Sequence, residues 1–239
     1  MRIAVVADIH GNRTAFEAVL ADLRQTAPDL ILHGGDLAHA GARPAEIVDR
    51  IRDLGWEGVI GNTDEMLPTP ESLEEFARQA PKLGPLLGTI REMAVFTRAE
   101  LGEARLAWLG SLPRTQVRGP LALVHASPES LWRAPMPEAS DEELEAVYGP
   151  LGKPIAVYGH IHRPYLRRIA GMIVANTGSA GLPYDGDRRA SYLLADGSEP
   201  TIRRVEYDVT REVEGLAGSG LPHADWVARM LQSGCYQQP

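Results

Sequence analysis

Short apolar runs alternate with helical patterns over the first 64 residues, and this alternation constrains the fold more than any other feature of the chain. The apolar runs cover residues 3–7, 30–32 and 58–60. Between them, apolar residues recur at three- and four-residue steps over 12–27 and 44–54, the spacing of an amphipathic helix. The order strand, helix, strand, helix, strand predicts parallel strands joined by right-handed crossovers.

The rest of the chain changes in character near residue 114. Residues 66–112 have helical patterns, clearest over 71–79 and 99–109, with breaks at Pro81, Gly84 and Pro85. Beyond them, short runs with turn residues between them favour strands. These runs are 115–117, 121–125, 155–158, 165–169, 172–175, 191–194 and 201–207. A last short helix is predicted near 224–232, after a looser stretch from Gly215 to Gly220.

These elements fit an α/β fold in which two packed mixed sheets carry helices on their outer faces. We predict one domain over residues 1–239, because no long linker interrupts the pattern. Within it, 66–112 would form a helical cap or flank, and 221–239 a C-terminal helix and tail. The apolar side of that last helix would pack on its own domain or on a second copy in a homo-oligomer. Its apolar side chains are Trp226, Val227, Met230 and Leu231.

Charge and cysteine content limit the partners and the compartment. The chain has 24 Lys and Arg against 32 Asp and Glu, a net charge of −8, which argues against nucleic-acid binding by bulk charge. Its one cysteine, Cys235, excludes an intrachain disulfide. No run approaches the ~18 apolar residues of a membrane span. We therefore expect a cytoplasmic protein with no membrane association.

Polar side chains stand at or just beyond the carboxyl ends of the predicted strands, where open α/β sheets build their sites. They are Asp8, His10, Asp36, Asn62, His125, His160 and His162. Carboxylate, imidazole and amide oxygen together suit a borderline divalent ion such as Mn²⁺, Fe²⁺, Co²⁺, Ni²⁺ or Zn²⁺. Seven ligands are too many for one ion, so the set predicts two ions that share a carboxylate. Taken singly, an Asp or Asn here is also a common turn or helix-capping residue, and a lone His is often only hydrogen-bonded.

The order of these motifs resembles the calcineurin-like metallophosphoesterase superfamily, and its small bacterial and archaeal phosphodiesterase branch in particular. The motifs are Asp8-Ile9-His10, Gly34-Gly35-Asp36, Gly61-Asn62-Thr63-Asp64, His125, and Gly159-His160-Ile161-His162. The resemblance implies a four-layer αββα sandwich. It also implies one metal ion held by Asp8, His10, Asp36 and His162 and a second held by Asp36, Asn62, His125 and His160.

The expected activity is hydrolysis of a small phosphoester or nucleotide-like substrate, a phosphodiester in preference to a monoester, by a hydroxide that bridges the two ions. Asp36, Asn62 and His125 are predicted to be catalytic as well as ligating. The alternatives are a phosphomonoesterase or protein phosphatase, a dinucleotide polyphosphatase, and a metal-poor interaction scaffold, the role that one retromer subunit plays on this fold.

The chain departs from many relatives at Thr63, where they carry a histidine thought to protonate the leaving group. A threonine hydroxyl cannot act as an acid at neutral pH. His39, three residues beyond Asp36, is the nearest candidate in the sequence for a substitute.

Four further residues are candidates for substrate contacts. Asn12 and Arg13 begin a helix near the predicted ions, where a guanidinium can meet a phosphate oxygen. Trp132 and Arg133 lie in an irregular loop after His125 and could stack on and clamp a nucleotide-like group. The plainer interpretations are a helix cap, a solvated arginine and a surface tryptophan. His33 and His223 are interpreted as structural or surface residues.

Overall fold

The computed structural model describes residues Met1–Pro239, which form ten strands and eight α-helices. The strands are β1 (Arg2–Val6), β2 (Leu30–His33), β3 (Glu57–Gly58), β4 (Thr115–Arg118), β5 (Leu121–Val124), β6 (Ile155–Tyr158), β7 (Tyr165–Ile169), β8 (Met172–Asn176), β9 (Ala190–Asp196) and β10 (Glu199–Val205). The helices are α1 (Arg13–Thr26), α2 (Pro44–Asp53), α3 (Asn62–Met66), α4 (Glu71–Gln79), α5 (Gly84–Gly110), α6 (Asp141–Tyr148), α7 (Val209–Ala217) and α8 (Ala224–Ser233).

The strands form two five-stranded mixed sheets. The first sheet has the order β10-β9-β1-β2-β3, and the second has the order β4-β5-β6-β8-β7. In the first sheet β1, β2 and β3 are parallel, as the alternation of strands and helices predicts, while β9 and β10 pair antiparallel. In the second sheet β5, β6 and β8 are parallel, and β4 and β7 are antiparallel edge strands.

Alternate side chains of each central strand enter different parts of the core. Ile3 and Val5 of β1 pack in the cluster between the sheets, with Leu121 and Leu123 of β5. Ala4 of β1 belongs to the cluster under α1, α2 and α5, which also contains Phe16. The outer face of the second sheet packs on α6. Helix, sheet, sheet, helix is the predicted four-layer arrangement, and it is confirmed.

The segment 66–112 is helical as predicted, but its breaks differ from the prediction. Pro81–Leu83 forms a short 3-10 turn, and Gly84 and Pro85 begin α5 instead of interrupting it. Proline is tolerated there because the first turn of a helix needs no intrahelical N–H donor. The break within α5 lies instead at Gly102, where φ is 67°.

Three helices were not predicted, and the end of the chain is more regular than its glycines indicate. The missed helices are α3, α6 and α7, and Gly215 lies inside α7. The apolar residues of α8 are buried within this same chain, against Met93 and Leu182 among others. Of the two packing alternatives for this helix, the structure shows packing on its own domain. No helix combines the length and apolar character that crossing a membrane requires.

Candidate metal centre

The seven strand-end side chains come together at one edge of the two sheets. Each follows the carboxyl end of β1, β2, β3, β5 or β6, so the parallel strands deliver them to the same side. Five of the seven have left-handed backbone conformations, which non-glycine residues rarely adopt. These five are Asp8, His10, Asp36, His160 and His162, with φ between 50° and 67°. Strain of this kind persists where the surrounding structure holds it in place, and it concentrates at functional sites.

The first group of ligand atoms comes from Asp8, His10, Asp36 and His162. Their ligating atoms all lie within 4.8 Å of one another, and all four residues are buried. The Nε2 atoms of His10 and His162 are 3.2 Å apart. His162 Nε2 is 3.4 Å from Asp8 Oδ1, and His10 Nε2 is 3.7 Å from Asp36 Oδ2.

The second group surrounds the amide oxygen of Asn62. His125 Nε2 lies 2.9 Å from Asn62 Oδ1, and His160 Nδ1 lies 3.0 Å from the same atom. Asp36 reaches this group through Oδ1, which is 3.4 Å from His125 Nε2. The two carboxylate oxygens of Asp36 thus face different groups, the arrangement that a bridging carboxylate needs.

Backbone carbonyl groups set the protonation of three histidines. Nδ1 of His10, His125 and His162 lies 2.9, 2.8 and 2.5 Å from the carbonyl oxygens of His39, Gly34 and Leu182. A carbonyl oxygen only accepts, so each Nδ1 carries a proton and donates it, and each Nε2 faces the site. Ligating histidines are commonly oriented by such outer hydrogen bonds.

The resulting set of atoms fits a cation. Two Nε2 lone pairs, 3.2 Å apart in His10 and His162, stand beside the carboxylates of Asp8 and Asp36. All of these atoms are acceptors, so they repel one another unless a positive charge lies among them. Carboxylate and imidazole donors without sulfur suit borderline divalent metals. We conclude that the residues present fit divalent metal binding.

The pKa shifts of the site residues also favour cation binding. Burial and the neighbouring His162 lower the pKa of His10, and burial lowers the pKa of His160 to about 4. Burial would raise the pKa of Asp36, but the histidines around it outweigh this effect and the pKa falls to about 2. Asp36 is therefore an anion at neutral pH, and His10 and His160 are neutral ligands. Burial lowers the pKa of His125, but Asp36 and Asp8 outweigh it and raise that pKa.

Asp64 holds the Asp36 segment in place and was not predicted as a site residue. Its Oδ2 accepts from the backbone N–H groups of Asp36 and Gly61, at 2.7 and 3.1 Å, and its Oδ1 accepts from Leu37 at 2.9 Å. Asp64 thereby ties the end of β2 to the start of α3, where Thr63 N–H donates to Asp36 Oδ1 at 3.0 Å. The only sequence signal for this role is its place in the Gly61–Asp64 motif.

A cavity of about 300 Å³ opens beside the two groups of ligands. His10, Asp36, Asn62, His160 and His162 line one side of it. Asp8 and His125 lie behind them, with no exposed surface.

Two of the predicted substrate-contact residues line this cavity next to the ligands. They are Thr63 and His39, both buried. Thr63 Oγ1 and both ring nitrogens of His39 have no hydrogen-bond partner within the protein. Buried polar groups are nearly always partnered, so these three unpartnered atoms are unusual for the protein interior. Burial and the nearby His10 lower the pKa of His39 to about 3, so its ring is neutral.

The other four predicted substrate-contact residues are Asn12, Arg13, Trp132 and Arg133, and of these only Trp132 also lines the cavity. Asn12 caps α1 by accepting from Ala15 N–H and donates to the carbonyl of Gly181, so its amide is already engaged. Arg13 is half-exposed and pairs with Glu46. Neither residue lines the cavity, which agrees with their plainer interpretations.

Trp132 and Arg133 are neighbours in the sequence, but only Trp132 lines the cavity. Its ring stacks on Phe76, with ring centroids 4.7 Å apart. Arg133 lies over the outer side of Phe76 and faces a neighbouring surface hollow instead. The structure does not bring its guanidinium to the ligand groups.

Comparisons with known proteins agree with this geometry. The family model of the calcineurin-like phosphoesterase superfamily domain matches residues 1–199. An uncharacterized protein from Methanocaldococcus jannaschii is 31% identical over 252 residues, covering 96% of each chain. The chain belongs to the calcineurin-like phosphoesterase superfamily. This membership confirms the family that the order of the five motifs indicated.

Solved structures of similar proteins support the same assignment. A metallophosphoesterase from Sphaerobacter thermophilus has a TM-score of 0.80 and 29% identity, covering 98% of this chain and 99% of its own. A hypothetical protein from Pyrococcus horikoshii has a TM-score of 0.83 at 20% identity, with 99% of both chains covered, and so shares the fold. This member of the calcineurin-like superfamily therefore combines the family fold with a buried Asp/His cluster that fits divalent metal.

Proposed function

We propose that this protein is a phosphodiesterase that works with two divalent metal ions. The observation that carries the proposal is the position of Asp36, whose two oxygens face two separate groups of ligands beside an open cavity. Asp8, His10 and His162 would complete one ion's ligands with Asp36, and Asn62, His125 and His160 the other's. Ions bound there would lower the pKa of a water molecule and offset the charge of a phosphoryl group.

The charges around the cavity favour a diester over a monoester. No Lys or Arg lines it, so the bound ions alone would have to offset the second negative charge that a monoester carries. Thr63 also cannot supply a proton to a poor leaving group at neutral pH. A diester with a good leaving group needs neither the extra cation nor the acid.

His39 is the residue of this chain that we assign to the substrate phosphoryl group. Its ring is neutral and lines the same cavity as Asp36 and Asn62, and neither ring nitrogen has a hydrogen-bond partner within the protein. The N–H of this ring can donate to a phosphoryl oxygen, and Thr63 Oγ1 can donate a second hydrogen bond. Both residues would orient the substrate phosphate without titrating themselves.

Hydrolysis of bis(p-nitrophenyl) phosphate by the manganese-loaded protein tests the activity. We expect turnover that the Asp36→Asn variant lacks, because one oxygen of the shared carboxylate is then replaced by an amide NH₂. His39→Asn should raise KM or lower kcat by roughly ten-fold or more, the size expected for a lost hydrogen bond to a charged group. His223→Asn, at an exposed histidine paired with Glu92, is the matched control and should behave as the parent does.

Metal analysis separates this proposal from the interaction scaffold. An enzyme with both groups of ligands should hold two ions per chain after loading and desalting. A chain that holds well under two ions and turns over neither bis(p-nitrophenyl) phosphate nor p-nitrophenyl phosphate would instead be a scaffold. Turnover of the monoester alone would replace the diesterase proposal with a phosphatase.

A further inference from the structure

Beyond the candidate metal ligands, most of the cavity lining is apolar, and we call these apolar side chains the wall. Hydrolysis of a phosphoester does not by itself require such a lining. Helix α5 and the 3-10 turn before it contribute Leu83, Leu86, Leu87, Ile90 and Met93 to this wall. Aromatic side chains from five other segments also line it. They are Phe76, Trp132, Tyr184, Trp226 and Tyr236. The long segment 66–112 and the C-terminal helix thus place an apolar surface beside the ligand groups.

We propose that this wall binds the ester group of the substrate, and that this group is an uncharged apolar one of about one or two rings. The inference rests on the proposed phosphodiesterase function, and it names the class of substrate. The phosphate would lie against the ligand side with His39, and the ester group against α5 and α8.

The polarity of the wall argues against a nucleoside or a polyphosphate. The wall side chains carry few polar atoms: two tyrosine hydroxyl groups and the indole N–H groups of Trp132 and Trp226. Trp226 already donates its N–H to the carbonyl of Gln237. A nucleobase has several donors and acceptors, and most would be buried without partners at a cost of roughly 1–3 kcal/mol each. A polyphosphate chain would meet no cationic side chain.

The size of the cavity argues against a macromolecular substrate. Its volume of about 300 Å³ is at the lower limit of ordinary small-molecule sites, which span roughly 300–1,000 Å³. Such a space accommodates a phosphate and the ring system of its retained ester group, whereas a peptide loop or a second nucleotide is too large for it. The substrate is therefore a small monoanion with one apolar arm.

Two esters with the same leaving group test the assignment. Methyl p-nitrophenyl phosphate and phenyl p-nitrophenyl phosphate release the same phenolate and differ in the retained ester group. We expect the KM of the manganese-loaded protein to be about ten-fold or more lower for the phenyl ester, since each buried CH₂-sized group is worth roughly 0.8 kcal/mol. Equal KM values for the two esters would overturn the assignment.

A binding measurement gives a readout that does not depend on turnover. Phenylphosphonate and methylphosphonate are not cleaved, and Trp132 and Trp226 in the wall report on binding through their fluorescence. We expect the phenyl compound to bind about ten-fold or more tightly than the methyl compound and to shift the emission. If neither ester is hydrolysed, the proposed activity fails, while this measurement still decides the role of the wall.

Two substitutions at Leu86 should act in opposite directions. Leu86→Trp fills the cavity and should raise the KM for the phenyl ester more than the KM for the methyl ester. Leu86→Ala enlarges the cavity and should lower the KM for a 2-naphthyl ester relative to the KM for the phenyl ester. Val95→Trp, at an exposed position on the same helix outside the cavity, is the matched control. A loss shared equally by all three esters in Leu86→Trp, with no gain for naphthyl in Leu86→Ala, would contradict the proposal.

Discussion

Gly159 lies against the carboxylate of Asp8, and a Cβ atom at position 159 would overlap Asp8 Oδ2. The next residue completes the contact, because His160 N–H donates to both oxygens of Asp8, at 3.1 and 3.0 Å. The glycine thus lets the β6 end approach β1 closely enough for His160 and His162 to meet the ligands of the first sheet. The absence of a side chain at Gly159 therefore allows the candidate ligands from the two sheets to lie close together.

Replacing Gly159 by Ala should therefore weaken metal binding. The added methyl group displaces Asp8 or moves the His160 segment, and either change separates the ligand atoms. We expect manganese affinity, measured by calorimetry, to fall at least ten-fold. Gly88→Ala is the matched control, because a Cβ there meets no atom within 4 Å and the residue lies in α5. Equal manganese affinity in Gly159→Ala and the parent would show that the contact does not position Asp8.

Asp64→Asn should lower both the stability of the protein and its manganese affinity, although Asp64 is not itself a predicted ligand. The amide retains one acceptor oxygen for the three N–H groups of Asp36, Leu37 and Gly61, and its NH₂ faces at least one of them. We expect a loss of about 1–3 kcal/mol in unfolding free energy and a 10- to 100-fold loss in manganese affinity. Asp208→Asn, at the exposed cap of α7, is the control, since Asn caps helices as well as Asp. A variant that unfolds earlier but binds manganese normally would limit Asp64 to a structural role.

The convergence of the candidate ligands could be predicted because each stands at or just beyond the end of an apolar run. Asp8, Asp36 and Asn62 follow strands that the alternation with helices makes parallel, so their convergence follows from topology alone. His125, alone after its strand, was ambiguous from its neighbours, and its assignment depended on the family resemblance. The structure places its Nε2 2.9 Å from Asn62 Oδ1.

Asp64 and the apolar wall could not be predicted, for different reasons. An aspartate in the first turn of a short helix looks like a helix cap. Only the fold brings the backbone N–H groups that follow β2 within hydrogen-bonding distance of Asp64. Leu86, Ile90 and Met93 recur at helical spacing, which is also the pattern of residues that face a core. Whether such a stripe faces a core or a cavity depends on packing between distant segments, here α5 and α8.

Divalent metal should stabilise the folded protein. The acceptor atoms of Asp8, His10, Asp36 and His162 repel one another without a cation, and the unfolded chain does not gather them. Manganese at a hundred times its Kd should add about 2.7 kcal/mol and roughly 5–10 °C in Tm for each occupied site, reversibly with chelator. Asp36→Asn should lose most of this shift. If manganese, nickel and zinc all leave the Tm of the parent protein unchanged, the metal-centre assignment is contradicted.

Thr63→His should change which leaving groups the enzyme tolerates. The Thr63 side chain lines the cavity, and its backbone N–H, which donates to Asp36, survives the substitution. A histidine there can protonate a departing alkoxide, a contribution of about 10²- to 10⁴-fold in well-placed cases. We expect kcat/KM to rise for dialkyl phosphates and to change little for p-nitrophenyl esters.

Thr63→Val is the control for the loss of the hydroxyl group. It should slow all esters to a similar extent, because it removes a hydrogen bond and adds no acid. If Thr63→His slows every ester as much as Thr63→Val does, position 63 does not face the leaving group.

His33 should make the protein less stable as the pH falls. Its ring is fully buried near Trp108, neither nitrogen has a partner within the protein, and burial lowers its pKa to about 4. Between pH 6.5 and 4 the unfolded chain binds a proton at this residue and the folded chain does not, so stability falls as pH falls through this range. A shift of this size is worth roughly 3 kcal/mol. His33→Leu, compared with the parent by urea unfolding at pH 7 and pH 4.5, should lose less stability on acidification. An equal loss of unfolding free energy in the two proteins would mean that His33 is protonated as easily in the folded protein as in the unfolded chain.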